Sequence, residues 1–224
     1  MTNKKQSDKQ GGFIMSDNII VTIARQYGSG GHAVGELVAK NFDMAYHDKS
    51  LIEKAAQKLG VSEEMLQSAD EKATPSFLYS IATGNYDVYP LSINFAPYEM
   101  PINDKLFNLQ ADIIREESEK SSCVIVGRCA DYILNGNPKL VKVFIYADMD
   151  SRVKRVMEHH GISEQDARVM IYKTDKKRAN YYNYYTSLKW GKSDNYNLML
   201  DTSKIGVEGA AKIIGEYIRL LQTK

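Results

Sequence analysis

The run Gly28-Ser29-Gly30-Gly31 separates an apolar segment from one with helical periodicity. Upstream, Ile19-Ile20-Val21-Thr22-Ile23 is a β-branched run of the kind that forms a buried central strand. Downstream, Val34, Leu37, Val38 and Phe42 recur at helical spacing. A strand, a Gly-rich turn and a helix start, in that order, make a phosphate-holding unit. Glycine opens backbone angles closed to other residues and lets amide N–H groups approach an anion, and the helix start adds the positive end of its dipole. Gly28, Ser29, Gly30, Gly31 and His32 are therefore the expected phosphate-binding residues; the alternative is a plain Gly-rich connection.

Phosphate chemistry also needs cations, because transfer of a phosphoryl group concentrates negative charge. Arg152 and Arg155 share a helical face, and Lys173 and Arg178 follow one helix later. Together they suit a cationic lid, though charged helix faces are also simply solvated. Arg128 follows the apolar run Cys123-Val124-Ile125-Val126, and the carboxyl end of a buried strand is where open α/β sheets bind ligands. The tract Asn180-Tyr181-Tyr182-Asn183-Tyr184-Tyr185 and Trp190 can stack a base or pack the lid against the core. His159-His160 reads as a C-terminal helix cap. With 4 histidines, none at metal-ligand spacing, a zinc site is not expected.

The elements that must position these residues alternate. Strands are expected at 19–24, 123–126, 141–146 and 196–200, with a short one near Met44–His47. Helices are expected through Leu51–Leu59, from Ser62, through Ile102, Leu106, Leu109 and Ile113, over 149–160 and 163–182, and through Val207–Leu221. Short apolar strands alternating with helices imply crossover connections and a parallel sheet. Residues 1–17 are polar and aperiodic and are expected to form a disordered arm, with one domain over 18–224. Pro90, Pro97 and Pro101 mark the stretch 83–101 as part of an inserted lobe.

The balance of 29 basic and 28 acidic residues gives a net charge of +1, which argues against a nucleic-acid polymer as partner. Cys123 and Cys129 form neither a Cys-x-x-Cys pair nor a disulfide framework, so a reducing cytoplasm is expected. No apolar run approaches the ~20 residues of a membrane span.

Taken in order, Ile23-Ala24-Arg25-Gln26-Tyr27-Gly28-Ser29-Gly30-Gly31, Tyr46-His47-Asp48-Lys49 and Val126-Gly127-Arg128-Cys129-Ala130-Asp131 resemble the cytidylate kinase-like family, a branch of the P-loop kinases. The resemblance covers about residues 18–224. It implies a three-layer α/β sandwich around a five-stranded parallel sheet in order 2-3-1-4-5. It further implies an acceptor lobe at about 49–101 and a lid at about 149–192, with Asp175-Lys176-Lys177-Arg178 matching the family's Asp-x-x-Arg lid element.

The departures from that pattern carry as much information. A Walker A loop ends Gly-Lys-[Ser/Thr], the lysine reaching the β/γ-phosphates and the hydroxyl binding Mg²⁺. Here Gly31 stands at the lysine position and Ala33 at the hydroxyl position. Arg25 is the expected replacement cation, since an imidazole at His32 adds charge only when protonated. Val126 and Cys129 replace two aspartates of the family pattern, while Arg128 keeps its place and Asp131 is close enough to stand in. Asp48 falls where the family opens its acceptor lobe, and Lys54 falls loosely where it carries an acceptor-gripping arginine.

The resemblance thus implies an ATP- and Mg²⁺-dependent phosphotransferase acting on a small acceptor, first a nucleoside monophosphate such as CMP or dCMP. The expected catalytic residues are Arg25, Arg152, Arg155 and Arg178, and the expected acceptor residues are Asp48, Arg128 and Asp131. The expected protein ligand of Mg²⁺ is Asp131 or Asp48. A regulatory nucleotide-binding module and a kinase of a non-nucleotide metabolite are the competing readings.

Overall fold

The computed structural model describes residues 18–48, 54, 58 and 102–223. The arm at 1–17, the helices expected at 51–59 and from 62, and most of the acceptor lobe lie outside the described residues, apart from Lys54 and Lys58. In chain order the elements are β1 (Ile20–Arg25), α1 (Gly31–Asn41), β2 (Ala45–His47), α2 (Ile102–Lys120), β3 (Cys123–Val126), α3 (Ala130–Ile133), β4 (Leu140–Tyr146), α4 (Met149–His160), α5 (Glu164–Thr186), β5 (Leu198–Asp201) and α6 (Thr202–Gln222).

All strand pairs are parallel, and the sheet runs β2-β3-β1-β4-β5. The fold is that of the P-loop kinases, as the resemblance implied. Alternation along β1 distributes the core. Val21 and Ile23, with Val124, Val126, Val143 and Ile145, meet Val34 and Val38 of α1 and Ala210, Ile214 and Ile218 of α6. Ile20, with Cys123 and Ile125, faces Ile113 and Ile114 of α2 and Leu134 after α3. Burial on both faces explains why the strands read as continuous apolar runs rather than alternating ones.

Parallel strands place all their carboxyl ends at one edge, which collects Arg25, Asp48, Gly127, Ala147 and Asp201. Over this edge lies a hairpin of α4 and α5. Asp148 caps α4 by accepting the Ser151 N–H, and Ser163 caps α5 by accepting the Asp166 N–H. Gly161, at φ 64°, ends α4 in the left-handed conformation and donates its N–H to Met157 O, so the capping expected of the histidine pair is done by the glycine after it. Val153, Val156, Ala167 and Ile171 bury the seam of the hairpin together with Tyr27 of the loop.

Boundaries shift where side chains intervene. β5 begins at Leu198 rather than residue 196, because Tyr196 turns into a cluster with Phe144. Asn197 joins β4 through its N–H to Lys142 O and its side-chain Oδ1 to the Lys142 N–H. Among the described residues, no helix is long and apolar enough to cross a membrane.

Candidate active site

The turn after β1 is held by its own backbone. Gln26 N–H donates to Ile145 O at 3.0 Å, and the Ser29 N–H and hydroxyl both donate to Gln26 O. Gly28 at φ 76° and Gly30 at φ 80° need the left-handed region that glycine adopts without penalty. A side chain at Gly28 would also meet the Arg152 carbonyl at 2.9 Å, because α4 rides directly on the loop. The Thr202 hydroxyl donates to Ser29 O at 2.6 Å and ties the loop to the end of β5. Helix α1 starts at Gly31 with no side-chain cap, so its amide end opens toward a cleft of about 670 Å³.

Arg25 crosses this region. A Cβ on Gly127, at the end of β3, would stand 2.2 Å from Arg25 Nη1, so the guanidinium lies against bare backbone. Asp48 follows β2, with Oδ1 4.0 Å from Arg25 Nη2 and Oδ2 3.2 Å from His32 Nε2. His32 Nδ1 is 3.6 Å from Glu36 one turn later. This cleft is therefore bordered by Gly28, Gly30, Gly31, Arg25, Asp48 and Arg178, among others.

A second cleft, of about 290 Å³, opens on the other side of Arg25. Gly127, Arg128 and Cys129 all have positive φ, at 79°, 58° and 55°. For Arg128 and Cys129 this is a costly conformation that persists only when surrounding structure holds it. The turn leads into α3 and sets Arg128 and Asp131 in the cleft wall. Asp131 is buried; burial pushes its carboxyl above the ordinary range, opposed by the Tyr182 hydroxyl, which donates to it at 2.7 Å. Lys177, Tyr181 and Trp190 complete the opposite wall.

The hairpin arginines divide by role. Arg152 is buried and donates through Nε to Tyr27 O at 2.8 Å, and its guanidinium pairs with Asp175. Arg155 donates to Gly28 O at 3.2 Å and to Thr202 O at 3.3 Å. Both therefore grip carbonyls of the loop after β1. Arg178 donates to Arg25 O at 3.0 Å, and burial together with the neighbouring Arg25 guanidinium pulls its pKa below the ordinary value. Lys173 is exposed and is not among the lining of either cleft, whereas Lys177 is.

The structure thus brings Gly28, Gly30, Gly31, His32, Arg25, Asp48, Arg155 and Arg178 around one cleft, and Arg25, Arg128, Asp131 and Arg178 around the other. Ser29 is buried and holds the turn from within. Lys54 pairs with Glu117 of α2 at 2.7 Å. The aromatic tract largely packs: Tyr185 stacks on Phe107 at 4.1 Å, and Trp190 meets Phe144 edge-on at 5.3 Å. Tyr181, Tyr182 and Trp190 nonetheless line the second cleft. Sequence reasoning missed Tyr27, Thr202 and the Asp131–Tyr182 pair, whose partners are distant in the chain.

Among the described residues, no group of three or more His, Cys, Asp or Glu side chains could hold a metal unaided. Asp48 nevertheless offers a carboxylate beside the loop, and one carboxylate plus phosphate oxygens and water is a common Mg²⁺ environment.

Among solved structures, an uncharacterized protein from Eubacterium ventriosum ATCC 27560 is 30% identical, with 90% of this chain and 99% of that one covered at a TM-score of 0.66. A shikimate kinase from Bacteroides thetaiotaomicron is 12% identical, over 90% of this chain and 98% of the other, at 0.49. A gluconokinase from Sinorhizobium meliloti 1021 is 13% identical, over 92% and 94%, at 0.46. No curated protein matches the chain. The match to the family model begins at residue 20, the first of β1, and ends at residue 204, just beyond β5, so it takes in the loop, both clefts and the hairpin: the chain belongs to the cytidylate kinase-like family.

Proposed function

We propose that this protein transfers the γ-phosphoryl group of ATP, bound in the Gly28–Gly31 cleft, to a nucleoside monophosphate in the Arg128–Asp131 cleft, with CMP or dCMP as the first acceptor class. One observation carries the reading: Arg25 and Arg178 border both clefts. Two guanidiniums held together with like charge are unfavourable alone and become favourable around a group that is strongly anionic in transit. In the reaction the bond from the γ-phosphorus to the bridging oxygen breaks, and a bond to an acceptor phosphate oxygen forms. That oxygen is already ionised at neutral pH, so no proton need be removed.

Arg25 and Arg178 neutralise the moving group, while Arg152 and Arg155 hold the loop that presents the donor. Arg128 and Asp131 orient the acceptor, whose base can lie against Tyr181 or Trp190. Mg²⁺, when bound with the nucleotide, would supply further charge neutralisation, and Asp48 is the carboxylate we assign to hold it. Cys123 and Cys129 are buried free thiols, which supports the cytoplasm as the site of action.

A second reading has its own support. The buried Asp131 carboxylate, with its raised affinity for protons, suits proton abstraction from a hydroxyl acceptor on a non-nucleotide metabolite. The test is ADP release with CMP, dCMP, UMP, AMP, GMP and sugar or cyclitol alcohols as acceptors. Turnover with pyrimidine monophosphates supports the proposal, and turnover confined to alcohols replaces it with the second reading. Failure to bind ATP at millimolar concentration, with or without Mg²⁺, overturns both.

A further inference from the structure

Tyr27 lies in the middle of the phosphate loop, yet nearly every group it has is directed at the α4–α5 hairpin. Its N–H donates to Asp175 Oδ1 on α5 at 2.7 Å, and its carbonyl accepts from Arg152 Nε on α4 at 2.8 Å. Asp175 and Arg152 are themselves an ion pair, so both backbone partners of Tyr27 are joined to each other. The hydroxyl is 2.7 Å from His160 Nε2, on the last residue of α4, and 3.5 Å from Met170 Sδ on α5. The Arg178 guanidinium lies 5.5 Å from the ring centroid, and the His160 ring stacks at 6.4 Å. The ring also packs against the apolar seam of Val153, Val156, Ala167 and Ile171.

We infer that Tyr27 is a positioning residue that seats the α4–α5 hairpin on the phosphate loop and so fixes Arg178 against Arg25. Tyr27 also lines the loop cleft, but the contacts of its ring and hydroxyl given above are all to the hairpin. Lifting the hairpin would break all of these contacts together, leaving the Tyr27 N–H without Asp175 and Arg152 Nε without the Tyr27 carbonyl. Tyr27 therefore gathers more of the loop–hairpin contacts than Gly28 or Arg25, which each accept one arginine bond from the hairpin, as expected where closure completes a catalytic constellation. The inference rests on the kinase reading only for the role of Arg178; the latch itself stands apart from it.

The test uses the full chain, with native-state hydrogen exchange as a readout independent of activity. In Tyr27→Leu, amides of α5 around Asp175–Tyr182 should exchange about tenfold faster or more, while β1 and β4 stay protected. Unchanged α5 protection overturns the latch whether or not the protein is a kinase. Should Tyr27→Leu lose protection throughout the sheet, Asp175→Asn decides from the hairpin side: local loss in α5 supports the latch, and wild-type protection overturns it. Tyr27→Phe and His160→Ala should be non-additive in α5 exchange, because each removes the same hydroxyl contact, and strict additivity counts against that bond. In turnover, Tyr27→Leu should lower kcat by about 100-fold with ATP affinity within about threefold of wild type, and Tyr27→Phe should recover most of it. An equal loss in both variants, or a loss carried by KM alone, overturns the positioning role. If wild type phosphorylates nothing, the kinase reading fails while exchange still decides the latch.

Discussion

The side chain of Arg25 fills the space into which a side chain at position 31 would grow: a Cβ on Gly31 would lie 2.5 Å from Arg25 Cβ and 2.9 Å from Arg25 Cγ. The glycine at the Walker lysine position and the arginine at the start of the loop are therefore one feature, since the two long cations exclude each other on this backbone. Gly31→Lys alone should weaken ATP binding about tenfold or more by displacing Arg25, although it supplies a lysine. Arg25→Gly, which removes both clashing carbons, combined with Gly31→Lys should bind better than either single variant. Calorimetric ATP titration of the four proteins checks this, and additive losses would show that the two positions do not compete.

Glu117 on α2 ties Lys54 to the scaffold. It accepts from Lys54 and Lys120, each at 2.7 Å, and lies 3.5 Å from His47 Nε2. Burial pushes its carboxyl up, but the bonds from Lys120 and Lys54 outweigh it and hold the pKa at about 2. A folded-state pKa below the ordinary 4.5 means stability that is present above that value and lost as pH falls through about 2. Glu117→Gln should cost about 1–3 kcal/mol at pH 7, read as a lower Tm, and the gap to wild type should narrow below pH 4. A constant gap at all pH values would assign the loss to packing instead.

Much of this architecture was readable in advance, for reasons visible in particular residues. β1 and its turn are local: Ile20–Ile23 and the glycines at 28 and 30 suffice to mark a buried strand meeting a glycine turn. Arg25 stood out in the sequence because Gly31 and Ala33 leave the loop without its usual cation, and in the fold its side chain packs against Gly31 and Gly127. Strand order was not legible from periodicity and came from the ordered motifs. The roles of Arg152 and Arg155 were not legible either: their spacing places them on one face, but nothing local tells that the face meets the carbonyls of Tyr27 and Gly28. The pairings of Tyr27 with His160 and of Asp131 with Tyr182 join residues far apart in the chain, and only the folded hairpin reveals them.

Asp131 predicts a conflict between stability and function. Burial raises its carboxyl in the folded chain, so the folded state keeps that proton to higher pH than the unfolded chain does. The group therefore increasingly disfavours folding as pH rises from the ordinary 3.8 toward the raised value, and the penalty is complete above it. Asp131→Asn keeps an acceptor for the Tyr182 hydroxyl and removes the charge. Its Tm at pH 7 should equal or exceed that of wild type, with the gain vanishing in acid, while acceptor-dependent turnover falls about tenfold or more. Tyr182→Phe should instead cost about 1–3 kcal/mol, because the buried carboxylate loses its donor. Equal destabilisation by both variants at neutral pH would make Asp131 a structural carboxylate.

Arg25 decides between an enzyme and a nucleotide-binding module. It is the residue that touches the loop glycines, borders both clefts and takes the room of the missing lysine. Cationic clamps on a transferring phosphoryl group are worth about three powers of ten in rate. Arg25→Ala should reduce turnover by about that factor, and Arg25→Lys should restore only part, because an ammonium lacks the planar fork. His32→Ala should do much less at neutral pH: it removes one neighbour of Asp48 and leaves Arg25 beside that carboxylate. The measurement is kcat for ADP release with the best acceptor, alongside the Kd for ATP. A wild-type rate in Arg25→Ala removes Arg25 from the mechanism. If wild type binds ATP tightly and turns over with none of the acceptors, the two clefts serve binding alone, and the Arg25–Arg178 pair is then a sensor of nucleotide phosphate.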